Sequence, residues 1–368
     1  MKNEMPALKI GDLTIPKPII QGGMGVGISL SNLATAVANE GGIGVIAAVG
    51  VGLLEEDFKE NYQEANKRAL RNEIRKTRNN TKGVIGLNVM MALTDYKDIL
   101  NIAIDEKVDV LLLGAGLPID VPNEVGIDRL KESNVKIIPI VSSGIAAKII
   151  LRKWDRNFGF IPDAFVVEGP LAGGHLGYKK DELDLESNKL ENLLPKVIAE
   201  VKVFEEKYNK EIPVIAAGGI FTGSDIYSIM KNTGAKGVQM GTRFVATDEC
   251  DATDEFKNEY IKCKKEDIVI INSPVGLPGR AINNNFLKHV DDENKPKIRC
   301  PWVCLNSCNI KTAHYCIGMA LANAKRGDLE NGYAFCGANA YRVDKIVSVH
   351  ELFEELETEY SIAVESDK

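Results

Sequence analysis

Residues 213–244, PVIAAGGIFTGSDIYSIMKNTGAKGVQMGTRF, hold one unit of the fold and the start of the next. Pro213–Gly219 is apolar without alternation and stops at a Gly-Gly pair. Ser224–Thr233 carries its apolar residues at helical spacing, and Gly237–Phe244 is a second apolar run, broken by Gly-Thr. Continuous apolarity is what a strand buried on both faces shows, and a helix between two such strands makes them parallel.

The same unit recurs upstream. Further apolar runs lie at Pro18–Gly22, Ile43–Val49, Val84–Met90, Asp109–Gly116, Lys136–Ser142 and Ala164–Gly169. Helix-like stretches separate them at Leu30–Glu40, Glu55–Lys76, Tyr96–Glu106, Gly126–Ser133, Gly144–Asp155 and Lys189–Lys207. This alternation with short connections predicts an α/β fold, a (β/α)8 TIM barrel. A doubly wound open sheet ranks second, because no Gly-rich dinucleotide turn follows the first strand. After Phe244 no strong strand series continues. Asp248–Asp267 is acidic and lysine-rich, Val275–Arg280 reads as a Gly/Pro turn, Asp291–Lys297 is charged and Val349–Glu359 is helical. The expected division is a barrel over 1–248 and a mostly helical, Cys-rich extension over 249–368, packed on the barrel.

Composition sets limits on partners. With 45% hydrophobic and 26% charged residues, the 368-residue chain has ample material for a core. A formal net charge of -7 offers no cationic excess for a nucleic-acid backbone. The N-terminus lacks an apolar signal core, and the longest apolar stretch, Gly42–Leu54, falls short of the ~18 residues a membrane span needs. A cytoplasmic protein with a small-molecule substrate, and with no nucleic-acid or membrane partner, is expected. A homodimer is the assembly considered. The seven cysteines are then thiols or metal ligands rather than disulfides.

In such barrels functional groups sit at the C-terminal ends of strands. The first strand ends in Gly22-Gly23-Met24, where glycines admit a flat ligand and Met24 can lie against an apolar ring; a tight turn explains the glycines as well. The third contributes Asn88, an amide able to donate and accept. Gly218-Gly219 and Gln239-Met240-Gly241-Thr242 put Gly-rich turns on the last two strands, where barrels bind phosphate with loops and a helix N-terminus. The sixth ends in Glu168, followed by a glycine loop with Gly173 and His175. An imidazole there can take or share a proton. The other three histidines, His289, His314 and His350, lie in the extension and read as structural or surface groups.

QGGMG, GLNVM, EGPLAGGHLG, PVIAAGGI and QMGTRF, in that order over about residues 8–250, resemble the nitronate monooxygenase family, formerly 2-nitropropane dioxygenases. They resemble equally the related FMN-dependent enoyl-acyl-carrier-protein reductases of the second type. The resemblance implies a barrel enzyme that uses FMN. It would oxidise alkyl nitronates with O2 or, as the alternative, reduce an enoyl thioester with NAD(P)H; a non-catalytic flavin-binding barrel is a third reading. By motif, Gly22, Gly23, Met24, Asn88, Glu168 and Gly173 would line the flavin. Gly218, Gly219, Gln239, Met240, Gly241 and Thr242 would hold its ring edge and phosphate, and His175 matches the catalytic histidine. Two departures stand out. Many relatives have Gln at the position of Glu168, where a carboxylate would repel an anionic reduced flavin unless protonated or paired. The fifth strand ends in Ser142-Ser143 without the basic residue some nitronate enzymes carry there. The tail Gly327–Val349 is similar to that of both relatives.

Cys300, Cys304, Cys308 and Cys316 form a C-x3-C-x3-C-x7-C pattern. On a helix the first three would share a face. Four thiolates can hold zinc or an iron–sulfur cluster, although the spacing matches no standard motif and Pro301 and Asn309 interrupt a helix. Reduced thiols packing the extension are the other reading.

Overall fold

Eight parallel strands close on themselves in the computed structural model, which describes residues 4–290, 300, 302–306, 308–311 and 313–368. The charged run Asp291–Lys297 and Pro301 lie outside the described residues. The strands are β1 (Ile19–Gln21), β2 (Gly44–Ala47), β3 (Ile85–Met90), β4 (Val110–Gly114), β5 (Lys136–Val141), β6 (Phe165–Glu168), β7 (Val214–Ala217) and β8 (Gly237–Met240). Each falls on one of the expected apolar runs. Their order is β1-β8-β7-β6-β5-β4-β3-β2, and a parallel bridge between Ile20 and Ile43 joins β1 to the strand entering β2. There the Gln21 N–H donates to the Ile43 carbonyl at 3.0 Å and the Ile43 N–H to the Ile19 carbonyl at 2.9 Å. No edge is left over, so the chain is a (β/α)8 barrel rather than an open sheet.

Both faces of the strands are buried. Ile20, Val45, Val110, Leu112, Ile138, Val166 and Ile215 pack inside the barrel. Ile19, Ile46, Leu87, Leu111, Ile137, Val167 and Val238 face the helical layer. A hairpin of Leu8–Ile10 with Leu13–Ile15 sends Leu8, Ile10 and Ile15 into the barrel interior from the N-terminal end. These three-residue strands lie ahead of the first expected one. Helices end where local chemistry dictates: the Thr222 and Ser348 side chains cap the helices Gly223–Thr233 and Val349–Ser366, each with a reciprocal carboxylate three residues on.

The residues after the barrel are more mixed than a mostly helical extension. Helices Asp254–Lys262, Ile317–Lys325 and Val349–Ser366 are joined by a hairpin of β9 (Ile268–Asn272) and β10 (Pro278–Ile282). The expected turn is centred slightly earlier, with the Ser273 N–H donating to the Leu277 carbonyl at 3.1 Å. The described residues between Cys300 and Cys316 form no helix, and the next helix begins only at Ile317. No helix among the described residues is long and apolar enough to cross a membrane.

Candidate active site

A cavity of about 350 Å³ lies across the C-terminal ends of the strands. All of the expected cofactor residues line it: Gly22, Gly23, Met24, Asn88, Glu168, Gly173, Gly218, Gly219, Gln239, Met240, Gly241 and Thr242. So does His175.

At one end the loops after β7 and β8 form a concave backbone. Gly218 and Gly219 have φ of +98° and +82°, conformations that side-chain-bearing residues rarely adopt. A Cβ on Gly218 would lie 2.9 Å from the Ala172 nitrogen. The amides of both glycines donate to no acceptor among the described residues. Such aimed N–H groups suit an anion. The helix after β7 does not contribute as expected. Its N-terminus is taken by Thr222 and by Glu359, whose Oε2 accepts the Gly223 N–H at 2.7 Å. What remains is the turn from Gly241 into Thr242, whose Oγ1 accepts the Gly337 N–H at 3.0 Å.

Toward the middle, the glycines divide by what holds them. A Cβ on Gly23 would strike Asn88 Cβ at 2.3 Å, and one on Gly173 would strike the Cys336 carbonyl carbon at 2.6 Å, so packing within the protein requires both. Gly22 and Gly241 are different: their Cβ atoms would meet nothing closer than 3.5 and 3.8 Å. Space for a ligand, not crowding by protein, is what a side chain there would remove. Gln239 Oε1 is buried with no partner. A buried acceptor left unpaired is costly, and a ring N–H placed against it would satisfy it. Met240 packs its side chain into the core and receives the Gly22 N–H on its carbonyl at 2.8 Å.

His175 sits on a two-residue strand, Gly174–His175, that pairs antiparallel with β10. Its Nε2 is 2.7 Å from Ser273 Oγ, and its ring meets Phe335 edge-on at 5.0 Å. Nδ1 has no hydrogen-bond partner among the described residues. Burial lowers the imidazole to about 4, so the ring is neutral at pH 7. The folded chain therefore binds fewer protons here than the unfolded one between about pH 4 and 6.5, and this group makes stability rise with pH across that window.

Glu168 faces the same cavity. Burial pushes its carboxyl up to about 7. Among the described residues no cationic side chain lines the cavity to pair with it. The carboxylate anticipated from sequence is thus held largely as the neutral acid below pH 7, which removes its repulsion of an anionic ring. The unfolded group titrates near 4.5, so Glu168 makes stability fall as pH rises between about 4.5 and 7. Activity is expected to change around pH 7 in the natural chain, and Glu168→Gln is expected to remove that inflection. A pH profile of kcat unaltered by the substitution would show that Glu168 does not titrate there.

Sequence reasoning missed the groups that fix this loop. Arg280 is 7% exposed, and its Nη1 donates to the Pro170 carbonyl at 2.7 Å and also to the Ala172 carbonyl. Asn339 Nδ2 donates to the Gly219 carbonyl at 2.6 Å, and the Ala338 N–H to the Leu171 carbonyl at 3.1 Å. The segment Phe335–Asn339 therefore roofs the phosphate-sized end. Its signals in the sequence were a Gly/Ala-rich stretch, FCGANA, and the resemblance of the tail that contains it. His289 and His350 are exposed and outside the cavity, as read.

The cysteines carry no disulfide, in line with expectation. All seven are free thiols. Cys304 and Cys316 line the cavity, whereas Cys300 and Cys308 do not. Among the described residues no three Cys, His, Asp or Glu side chains are grouped to hold a metal ion. The described residues there form no helix to align the first three, and burial, with the neighbouring thiols, raises Cys304 to about 11. The four thiols lie within electrostatic reach of one another, but the described residues are not drawn together into the zinc or iron–sulfur site the spacing suggested.

A catalytic-face cavity with anion-seeking amides, an orphaned amide oxygen and a buried histidine can be compared with known proteins. The family model of nitronate monooxygenases matches residues 7–359. The chain belongs to the nitronate monooxygenase family. A probable nitronate monooxygenase of Staphylococcus aureus is 30% identical, over 76% of this chain and 78% of that protein. An octahydroindene-carboxyl-CoA dehydrogenase of Rhodococcus jostii is 28% identical over 75% of this chain; the match spans 65% of that protein, just under two thirds of its length. The structure of FabK from Thermotoga maritima superposes with a TM-score of 0.73 at 29% identity, covering 96% of this chain and 95% of that one. This nitronate monooxygenase family member is accordingly an oxidoreductase built on a TIM barrel, with its candidate site where the family motifs converge.

Proposed function

We propose that the chain is an FMN-dependent oxidoreductase that oxidises alkyl nitronates with O2. The observation that carries it is the union in one cavity of the unpaired Gly218 and Gly219 amides, the partnerless Gln239 Oε1 and His175. One monophosphate-sized site without a second nucleotide-binding turn favours FMN over FAD. Gly218, Gly219, Gly241 and Thr242 would take the phosphate. Gln239 and Asn88 would meet the ring edge, with Gly22, Gly23 and Met24 beneath it. When bound, FMN supplies the electron-transfer chemistry.

The chain's own groups then bind and position. His175 Nδ1 is the ring nitrogen left for substrate. With Nε2 accepting from the Ser273 hydroxyl, Nδ1–H is left to donate to a nitronate oxygen and orient the substrate. Phe335 and the apolar walls exclude water from the same space. Glu168, neutral below pH 7, adds a donor rather than a second negative charge.

A second reading is favoured by one observation. Among the described residues the cavity lining contains no Lys or Arg to offer an anionic nitronate a countercharge. A neutral enoyl thioester reduced with NAD(P)H would need none. The metal reading has no geometric support here, and metal analysis of anaerobically purified protein bears on it directly. Purified protein is expected to be yellow and to release FMN on denaturation. Oxygen uptake with propyl nitronate, without NADH-driven crotonyl thioester reduction under nitrogen, is the expected result. Release of FAD, or failure to bind FMN at micromolar concentration, would falsify the cofactor assignment; the reverse activity pattern would select the reductase.

A further inference from the structure

The part of the cavity opposite Gly218 and Gly219 is walled by residues the barrel alone does not supply. We propose that it is a subsite for an extended apolar group of the substrate, a hydrocarbon chain or alicyclic ring system attached to the reacting carbon. This rests on the oxidoreductase reading above and names the class of substrate the site selects.

In a closed eight-stranded barrel, strands four places apart face each other across the mouth. The anion-seeking amides follow β7 and β8, and the wall in question stands on the loop after β3, the strand opposite β7. There Leu93 forms an isolated bridge with Leu305. The Thr94 N–H donates to the Cys304 carbonyl at 3.2 Å, and the Asn306 N–H to the Ala92 carbonyl at 2.9 Å. Trp302 stacks at a tilt on Phe58 and Tyr62, with ring centres 5.2 and 6.3 Å apart. Met319 and Leu321 arrive from the helix Ile317–Lys325. All six of Tyr62, Leu93, Trp302, Leu305, Met319 and Leu321 line the cavity.

Among the described residues nothing in this wall carries charge. Its polar side-chain groups are the Trp302 indole N–H, which donates to the Lys59 carbonyl at 3.4 Å, the Tyr62 hydroxyl and the Cys304 and Cys316 thiols, and burial keeps the last three protonated. A small substrate of three or four carbons placed at His175 would leave these apolar faces in contact with water. A longer apolar group would cover them, and burial of each added methylene improves binding by roughly threefold to fivefold. The cysteine-bearing segment then has a use without metal: it is a soft, uncharged side of the substrate space.

Trp302 makes the test direct. The chain has two tryptophans, and the other, Trp154, is fully buried with its Nε1 donating to the Pro118 carbonyl at 3.0 Å. Titrating oxidised holoenzyme with 1-alkanols from butanol to decanol should shift Trp302 emission. Kd should fall roughly threefold to fivefold per methylene until the arm is full. Trp302→Phe should abolish the emission change while a perturbation of the flavin spectrum still reports binding. Leu321→Phe should end the gain at a shorter chain, and Trp302→Ala at a longer one. A Kd independent of chain length, or a gain unaffected by Leu321→Phe, would overturn the subsite. Because no turnover is measured, failure of nitronate or enoyl chemistry leaves this result readable by itself.

Discussion

His175→Ala is expected to lower kcat/KM by about 10²–10⁴, the usual contribution of a group that moves or holds a proton in the transition state. Bound flavin should stay at the natural level, because the loops after β7 and β8 that offer the phosphate site do not depend on the imidazole. The ring is neutral over the working range, so the loss should be similar from pH 6 to 9, apart from the step attributed to Glu168. Steady-state rates with a nitronate and with an enoyl thioester, alongside the flavin content of the variant, check this. Near-normal rates with both would reduce His175 to a packing residue against Phe335. Ser273→Ala should cost less, since it removes the group that orients Nε2 and leaves the ring in place.

Gly218→Ala should weaken FMN binding by about two orders of magnitude, close to 2.7 kcal/mol. At φ +98° an alanine is strained, by about 1–3 kcal/mol, and its Cβ would press on the Ala172 nitrogen and the Gly169 carbonyl at 2.9 and 3.0 Å. Those neighbours are backbone and cannot rotate away. Gly22→Ala is the informative partner. Its Cβ meets protein only at 3.5 Å, so thermal stability without cofactor should hold while FMN affinity falls. If both variants bind FMN normally, the glycines serve the turns alone, and the cradle is not where the cofactor sits.

The barrel was legible because its strands are buried twice over. Leu111 and Leu112 are adjacent and both fully covered, one by the helical layer and one by the barrel interior, and that requires continuous apolar runs. The catalytic-face glycines were legible for a related reason: Gly218 and Gly219 stand at strand ends in conformations that exclude other residues. What stayed hidden depends on partners far away in sequence. Arg280 looked like part of a Gly/Pro turn, and its role appears only when the Pro170 and Ala172 carbonyls come beside it. The β9 strand offered four apolar residues after a charged stretch, too little to separate from a loop. The cysteine spacing was visible, but its meaning was read through a helix, and the described residues there form none. The phosphate helix failed similarly, since Glu359 claims the Gly223 amide from the other end of the chain.

The strand that carries His175 pairs with β10, and Phe335–Asn339 covers the amide-lined end; both follow the last barrel strand in the chain. During synthesis the eight strands are all made before the residues that aim the imidazole. At roughly 5–20 residues per second, the interval between Phe244 and Asn339 is on the order of ten seconds. Within that time the Arg280 clamp, the Trp302 wall and the Phe335–Asn339 roof are made in turn. The site is thus completed late, by the same segments that complete the fold.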